Sequence, residues 1–323
     1  MSHVLNKTRP VSEQVRLKVE AAIVELDYVP SAVARSLKAR TTATIGLLVP
    51  NSVNPYFAEL ARGIEDACER NGYCVILCNS DDNPQKQRSY LRVLLEKRID
   101  GLVVASVGED SDLLQSLACV RTPMVIVDRA LEGVDADLVR IDHEQGAYLA
   151  TQHLLELGHR DIAYIGGPVA TGVSQLRLAG FHRAMAEAQV AVQGAHILQC
   201  DFTSPGGHAA AAQLLDGQRP TAIFAGNDMI GFGVLRAAAE RNINVPGELS
   251  VIGFDDIELS RYVYPPLTTV GQSIRELGES AAALLLSRIA SPRRDGAEQR
   301  IVAPRIVLRE STGPRPDLFN DYR

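Results

Sequence analysis

Long apolar runs, paired cysteine motifs and metal-type histidine spacings are all absent from this sequence of 323 residues. No apolar stretch approaches the ~20 residues that a membrane-spanning helix needs. The start has no charged segment followed by an apolar one, so no signal peptide is expected. The five cysteines (Cys68, Cys74, Cys78, Cys119 and Cys200) form no Cys-x-x-Cys motif, which indicates reduced core thiols. We therefore expect a cytoplasmic protein without a metal or cofactor.

Charge is unevenly distributed along the chain. Residues 1–43 hold seven Lys/Arg and four Asp/Glu, a net of +3, whereas the remaining residues carry a net of −9. A basic head on an acidic body fits a polyanionic partner for the head. A solvated helix face would give the same count of charges.

The chain is too long for one ordinary hydrophobic core, and its 46% hydrophobic residues suffice for the cores of two or three domains.

The basic head has a helical pattern. Ser12 is placed to cap a helix whose apolar residues recur at spacings of three and four, namely Val15, Val19, Ala22, Ile23 and Leu26. Residues 30–31 (Pro-Ser) begin a second, shorter helix, and residues 40–43 form a polar linker. An isolated helix of this length is marginal in water, so we expect the second helix to fold only with a partner.

The body alternates between strands and helices. Apolar strand segments are predicted at 44–50, 73–80, 101–106, 123–128 and 137–142, and a second round at 162–167, 197–201, 222–227 and 249–255. Continuous apolar strands alternating with amphipathic helices predict parallel sheets covered on both faces. Two successive rounds predict an α/β protein with two doubly wound subdomains.

Polar and aromatic side chains follow the predicted strands, where doubly wound sheets bind ligands. The polar ones carry planar groups, and they are Asn54, Asp128, Arg129, Arg177, Asn227, Asp255 and Gln272. The aromatic ones are Tyr56, Phe57 and Phe202. Planar polar groups bind sugar hydroxyls and aromatic rings pack on sugar C–H faces, so the set predicts a sugar site. Singly, each has a structural alternative, such as a helix start at Asn54 or a turn at Asp255.

Several motifs together resemble the bacterial lactose-repressor (LacI/GalR-type) family of transcription regulators. They include residues 29–38 (Val-Pro-Ser-Ala-Val-Ala-Arg-Ser-Leu-Lys), 49–57 (Val-Pro-Asn-Ser-Val-Asn-Pro-Tyr-Phe), 175–181 (Gln-Leu-Arg-Leu-Ala-Gly-Phe), 225–228 (Ala-Gly-Asn-Asp), 251–256 (Val-Ile-Gly-Phe-Asp-Asp) and 265–269 (Pro-Pro-Leu-Thr-Thr). The resemblance spans nearly the whole chain. It implies a sensor with the type-one periplasmic-binding-protein fold after a partial all-α helix-turn-helix head with a hinge helix.

The resemblance also implies domain boundaries and a ligand. The head with its hinge helix at 31–38 occupies 1–43, the N-subdomain 44–143 and about 272–300, and the C-subdomain 144–271 and about 301–323. All ten ligand residues named above match ribose-binding members of the family. Purine-binding members are the alternative, which the head and residues 319–323 favour. Those members carry Arg and Thr near positions 171 and 173, where this chain has Thr171 and Val173.

In the family, a recognition helix reads the major groove and paired hinge helices of a dimer wedge a leucine into the minor groove. The matching positions here are Ser2, His3, Asn6, Lys7, Thr8, Ser31, Arg35, Leu37 and Lys38. We expect operator DNA and a second copy as partners. The sequence starts partway through the family's recognition helix, so we expect full operator affinity to need the preceding helices.

Two other classes of function share some of these features. A transport binding protein has the same body but needs a signal peptide and has no basic head. An enzyme could place a nucleotide loop at residues 165–172, but the glycines there fit neither Gly-x-Gly-x-x-Gly nor a Walker loop. The sequence shows no nucleophile–base pair. We therefore expect a regulator and not an enzyme.

Overall fold

The computed structural model describes residues 4, 9–27, 41–105, 111–128, 131, 133–168, 171–217, 219–271, 273–291 and 296–316. Two compact units are present, residues 1–42 and 43–323. In chain order the elements are α1 (Glu13–Glu25), β1 (Thr44–Val49), α2 (Pro55–Arg70), β2 (Cys74–Asn79), α3 (Pro84–Glu96), β3 (Gly101–Ala105), α4 (Ser111–Ala118), β4 (Met124–Val127), β5 (Asp137–Ile141), α5 (His143–Glu156), β6 (Ile162–Gly166), α6 (Gly172–Glu187), β7 (Ile197–Gln199), α7 (Ser204–Asp216), β8 (Ala222–Ala225), α8 (Asp228–Glu240), β9 (Ser250–Asp255), β10 (Thr268–Gly271), α9 (Ile274–Ala290), β11 (Gln299–Val302) and β12 (Arg305–Val307), with 3-10 turns at Gly194–His196 and Glu258–Arg261.

Helix α1 belongs to the first unit, of which residues 4, 9–27 and 41–42 are described. Ser12 stands at its N-cap, as predicted, but the Ser12 side chain accepts no capping hydrogen bond. No residue of α1 is buried, and Val15 and Leu26 of its predicted apolar face are exposed. The spacing of apolar residues therefore predicted the helix correctly, whereas the predicted capping bond was wrong.

The second unit contains two six-stranded sheets, which confirm the predicted α/β class with two doubly wound subdomains. The first subdomain is built on the sheet β11-β5-β4-β3-β1-β2, and every pairing in it is parallel. The second is built on the sheet β12-β10-β9-β8-β6-β7, in which the edge strand β12 alone is antiparallel. Among the described residues, no helix has the length and apolarity of a bilayer crossing.

Helices cover both faces of each sheet because successive strand residues point to opposite faces. In the first subdomain, Leu47 packs in a core with α2 and α9, whereas Leu48 packs with α3 and α4. In the second, Ile223 packs with α7 and α8, and Phe224 packs with α5 and α6. These four cores explain why the central strands, such as β1, β3 and β8, are continuously apolar.

Among the described strands and helices, the chain changes subdomain three times: between β5 and α5, between β10 and α9, and between β11 and β12. Strand β11 extends to Val302, two residues past the predicted boundary near residue 300. The carboxyl ends of β4 and β9, from different sheets, both supply residues to the site described next.

Candidate functional site

Two aspartates end strands in a backbone conformation that is uncommon for residues with a side chain. Asp128 follows β4 with a φ of 87°, and Asp255 ends β9 with a φ of 114°. Both residues are nearly fully buried, with 6% and 5% of their surface exposed. Backbone strain of this kind persists where the surrounding structure enforces it, and it is concentrated at functional sites.

Asp228 fixes the segment that follows Asp255. It is the first residue of α8, is fully buried, and accepts hydrogen bonds from the Ile257 amide (2.9 Å), the Ser260 hydroxyl (2.6 Å) and the Thr269 hydroxyl (2.5 Å). Burial raises the pKa of Asp228 to about 6, and these three donors oppose that increase. Asp228 therefore holds the segment after Asp255 in place, a role that its position in the sequence did not indicate.

Arg177 extends from α6 into the interior and is only 5% exposed. One terminal nitrogen donates to the Gly226 carbonyl (2.5 Å) and the other to Oδ1 of Asp255 (3.1 Å). The guanidinium lies over the Phe254 ring, 3.8 Å from its centroid. Its Nε has no hydrogen-bond partner among the described residues. A flat, fixed guanidinium with a remaining donor is suited to bind an oxygen-rich ligand.

His143, which the sequence analysis did not select, lies between the two halves of this site. Its Nε2 is 2.7 Å from Oδ1 of Asp128, and its Nδ1 is 3.4 Å from a terminal nitrogen of Arg177. Its ring also packs against Phe254, with centroids 5.9 Å apart. His143 is the second residue after β5, so the strand-end rule could have found it. The predicted ligand residues include none from the end of β5, so His143 was missed.

Three of the predicted ligand residues are aromatic, two in the first subdomain and one in the second. Tyr56 and Phe57, in the first turn of α2, pack edge to face with centroids 5.1 Å apart. Tyr56 is buried, and its hydroxyl has no hydrogen-bond partner among the described residues. In the second subdomain, the Phe202 ring lies directly on Gly167, where an added Cβ would stand 2.5 Å from Cε1 of Phe202. The missing side chain at Gly167 makes this approach possible.

The two predicted asparagines serve as helix caps. Asn54 accepts a hydrogen bond from the Tyr56 amide (3.1 Å), and Asn227 accepts one from the Ile230 amide (2.9 Å). The amide nitrogen of Asn227 is 3.5 Å from the Phe202 carbonyl oxygen. The helix start raised as an alternative for Asn54 is therefore present, and its ligand contact stays a prediction. Each side-chain oxygen is engaged in a cap, which leaves the NH2 groups as the donors of these side chains.

Burial dominates the electrostatics of the site. It raises the pKa of Asp255 to about 8, although Arg177 acts in the opposite direction. Burial also raises the pKa of Tyr56 well above its ordinary value, and the nearby Asp128 and Asp255 raise it further. The pKa of His143 is lowered, again mainly by burial. The tyrosine is thus a neutral donor, and the imidazole is neutral near pH 7.

The structure brings together four of the ten predicted ligand residues through direct contacts or short-range electrostatics: Tyr56, Asp128, Arg177 and Asp255. Phe57 contacts this group through Tyr56, and Phe202 contacts Asn227. Arg129, Gln272 and all nine predicted DNA contacts lie outside the described residues. Among the described residues, no group of His, Cys, Asp or Glu side chains forms a metal site. The arrangement offers hydrogen bonds and ring faces to a small polar ligand.

Comparisons with known proteins agree with the fold. The model described as "Bacterial regulatory proteins, lacI family" matches residues 1–31, and "Periplasmic binding protein-like domain" matches residues 151–312. The chain is 45% identical, over 326 residues, to the HTH-type transcriptional repressor PurR of Proteus mirabilis, covering all of this chain and 95% of the relative. A lac repressor dimer bound to operator and the anti-inducer ONPF has a TM-score of 0.85 at 28% identity, covering 97% and 94% of the two chains. A LacI family regulator of Enterococcus faecium with bound ribose has a TM-score of 0.76 at 36% identity, covering 84% and 99%.

Proposed function

The chain belongs to the lacI family of bacterial regulatory proteins and is a DNA-binding transcriptional repressor, and we propose that its effector is D-ribose. The relatives are repressors, so the chain is a regulator and not an enzyme. The proposal rests mainly on the buried Arg177–Asp255 pair, which lies beside Asp128 and the Tyr56 hydroxyl. Two carboxylates, a guanidinium and a phenol supply the acceptors and donors that a ring with several hydroxyls requires.

The effector is proposed to bind between the two subdomains. Its contacts would be Asn54, Tyr56, Phe57, Asp128, Arg129, Arg177, Phe202, Asn227, Asp255 and Gln272. Tyr56 and Asp128 come from the first subdomain, and Arg177 and Asp255 from the second. A ligand that contacts both pairs favours one arrangement of the two subdomains, as a sensor requires. The ribose-bound family member of similar structure adds support.

A purine is the second candidate, favoured by the 45% identity to a repressor named PurR. The loop before α6 argues against it. The Thr171 hydroxyl already contacts the Pro168 carbonyl (2.8 Å) and the Ser174 hydroxyl (2.7 Å), and Val173 is buried. These are the positions near which purine-binding members carry Arg and Thr. The loop therefore offers no planar polar side chain at either position for a base edge.

Calorimetric titration with ribose, hypoxanthine and guanine distinguishes the two candidates. Of the three ligands, we expect only ribose to give a heat of binding. Asp255→Asn should weaken ribose binding about tenfold or more, because ligand hydroxyls that donate to Asp255 favour its ionised form, which asparagine cannot adopt. Asp216→Asn is the matched control, since Asp216 also pairs with an arginine but on the surface. Binding of hypoxanthine but not of ribose would overturn the ribose proposal and support the purine.

For the DNA-binding half we propose the family arrangement, with a head at 1–43 that acts in a homodimer in the cytoplasm. The operator contacts would be Ser2, His3, Asn6, Lys7, Thr8, Ser31, Arg35, Leu37 and Lys38. Ribose would close the sensor, separate the hinge helices and lower operator affinity. An operator titration tests this directly. Operator affinity that is the same with and without saturating ribose would refute it.

A further inference from the structure

A chain of hydrogen-bonding groups crosses from one subdomain to the other through His143. It runs from Asp255 to Arg177 (3.1 Å), from Arg177 to His143 (3.4 Å) and from His143 to Asp128 (2.7 Å). Asp128 follows a strand of the first sheet, whereas Asp255 and Arg177 belong to the second subdomain. We infer that His143 is a positioning residue that couples the two halves of the effector site and so transmits effector binding to the head.

The partners of His143 fix the position of its proton. A guanidinium has only donors, so Nδ1 of His143 accepts from Arg177, and the remaining proton must be on Nε2. Nε2 then donates to Oδ1 of Asp128, which agrees with the short distance. The pKa of His143 is lowered by burial, and this neutral form has one donor and one acceptor. The same ring therefore makes a directional contact with each half.

The place of His143 in the chain strengthens the inference. It begins α5, directly after the first crossing between the subdomains, so its backbone lies where a change in their arrangement must be accommodated. The Phe254 ring lies under both the Arg177 guanidinium and the His143 imidazole. Because the Phe254 ring packs on both groups, it limits their movement relative to each other. A ligand that displaces Asp128 or Arg177 thus changes a contact of His143.

Three substitutions separate the two contacts. His143→Gln retains a donor near the position of Nε2, His143→Asn retains an acceptor near Nδ1, and His143→Leu retains neither. His208→Gln is the matched control, because His208 also lies 2.7 Å from a carboxylate, that of Glu240, but on the surface. Ribose affinity is measured by calorimetry. Operator affinity is measured by fluorescence anisotropy without ribose and at a ribose concentration that saturates each variant.

This inference rests on the proposed function, and the two fail differently. For His143→Leu we expect about tenfold weaker ribose binding, the scale of losing one hydrogen bond to a charged group. The ratio of operator affinities without and with saturating ribose should also fall toward one, with His143→Gln and His143→Asn between. A merely structural role would lower the melting temperature and leave that saturated ratio unchanged, which would overturn the inference. A wild-type protein that does not respond to ribose would overturn the ribose proposal. The ratio of operator affinities without and with saturating hypoxanthine, measured for the wild-type protein and His143→Leu, would then test the role of His143.

Discussion

Replacing Gly167 by alanine should weaken ribose binding while leaving the fold nearly as stable. The φ of Gly167 is outside the left-handed range, so alanine fits the backbone without strain. Its Cβ, however, would stand 2.5 Å from Cε1 of Phe202 and nearer still to the neighbouring ring atoms. Ordinary carbon contacts begin near ~3.5 Å, so the ring must move by about 1 Å. The ring is the far end of the half-buried Phe202 side chain, so it can move without a shift of the backbone.

The size of the effect follows from what the ring contributes. An aromatic face packed on a ligand contributes about 0.5–1.5 kcal/mol beyond its buried area. Losing that contact would weaken ribose binding by roughly two- to twelvefold, since 1.4 kcal/mol is a factor of ten. Alanine also reduces the freedom of the unfolded chain, which stabilises by about 0.4–1 kcal/mol and offsets local crowding. We therefore expect the free energy of unfolding to change by less than about 1 kcal/mol.

Calorimetry with ribose and urea denaturation measure the two quantities. Gly194→Ala is the control, because Gly194 lies in a 3-10 turn of the same subdomain and an added Cβ there meets nothing within 4 Å. It should leave ribose affinity unchanged and raise the free energy of unfolding by no more than about 1 kcal/mol. Phe202→Ala gives the limit of complete ring loss. A Gly167→Ala variant that binds ribose as tightly as the wild-type protein would refute the close approach or the role of Phe202.

Three further predictions concern the guanidinium, the carboxylate and a helix contact. Arg177→Lys should weaken ribose binding at least about tenfold in calorimetry, because an ammonium cannot lie flat on Phe254 while donating in two directions. An unchanged ribose affinity would show that Arg177 does not bind the effector. The pKa of Asp255 is raised to about 8 in the folded protein, whereas it is near ~4 in the unfolded chain, so the unfolded chain ionises first. The contribution of Asp255 to the free energy of unfolding is therefore complete below pH ~4 and is lost as the pH rises through about 8. Urea denaturation from pH 4 to 9 should therefore show the wild-type protein losing stability relative to Asp255→Asn, and a constant difference would show that the pKa is not raised. Gly180→Ala should lower the free energy of unfolding by about 1–3 kcal/mol, since its Cβ would press on the backbone carbonyl of Glu144 across the α5–α6 contact; a gain in stability would show that the helices can separate freely.

The fold could be predicted from the sequence because its strands are apolar on both faces. A residue such as Leu47 and its neighbour Leu48 enter different cores, so the pattern is continuous and cannot be confused with a half-exposed strand. The strand-end rule then located Asp128 and Asp255 correctly at the ends of β4 and β9. Both predictions depend only on local sequence and on general properties of parallel sheets.

The contacts within the site could not be predicted in the same way. The left-handed backbone of Asp128 and Asp255 depends on tertiary packing, which no periodicity encodes. Asn54 is a helix cap, because a residue before a proline-led helix satisfies a free backbone amide first. The link through His143 requires three elements from two subdomains to meet. Local patterns contain no signal for such a meeting.

The chemistry of the site is better suited to sensing than to stability. Burying a pair such as Arg177 and Asp255 costs desolvation that their attraction barely offsets, and an apolar pair of similar volume would often be at least as stable. Ligand hydroxyls that donate to the Asp255 carboxylate would stabilise its ionised form and lower its raised pKa. Part of the binding free energy is therefore the relief of a strained, desolvated site. The hydrogen-bonded groups joined through His143 come from both subdomains, so the free energy gained on binding depends on how the subdomains are arranged. A ligand that binds one arrangement more tightly than the other shifts the population toward that arrangement.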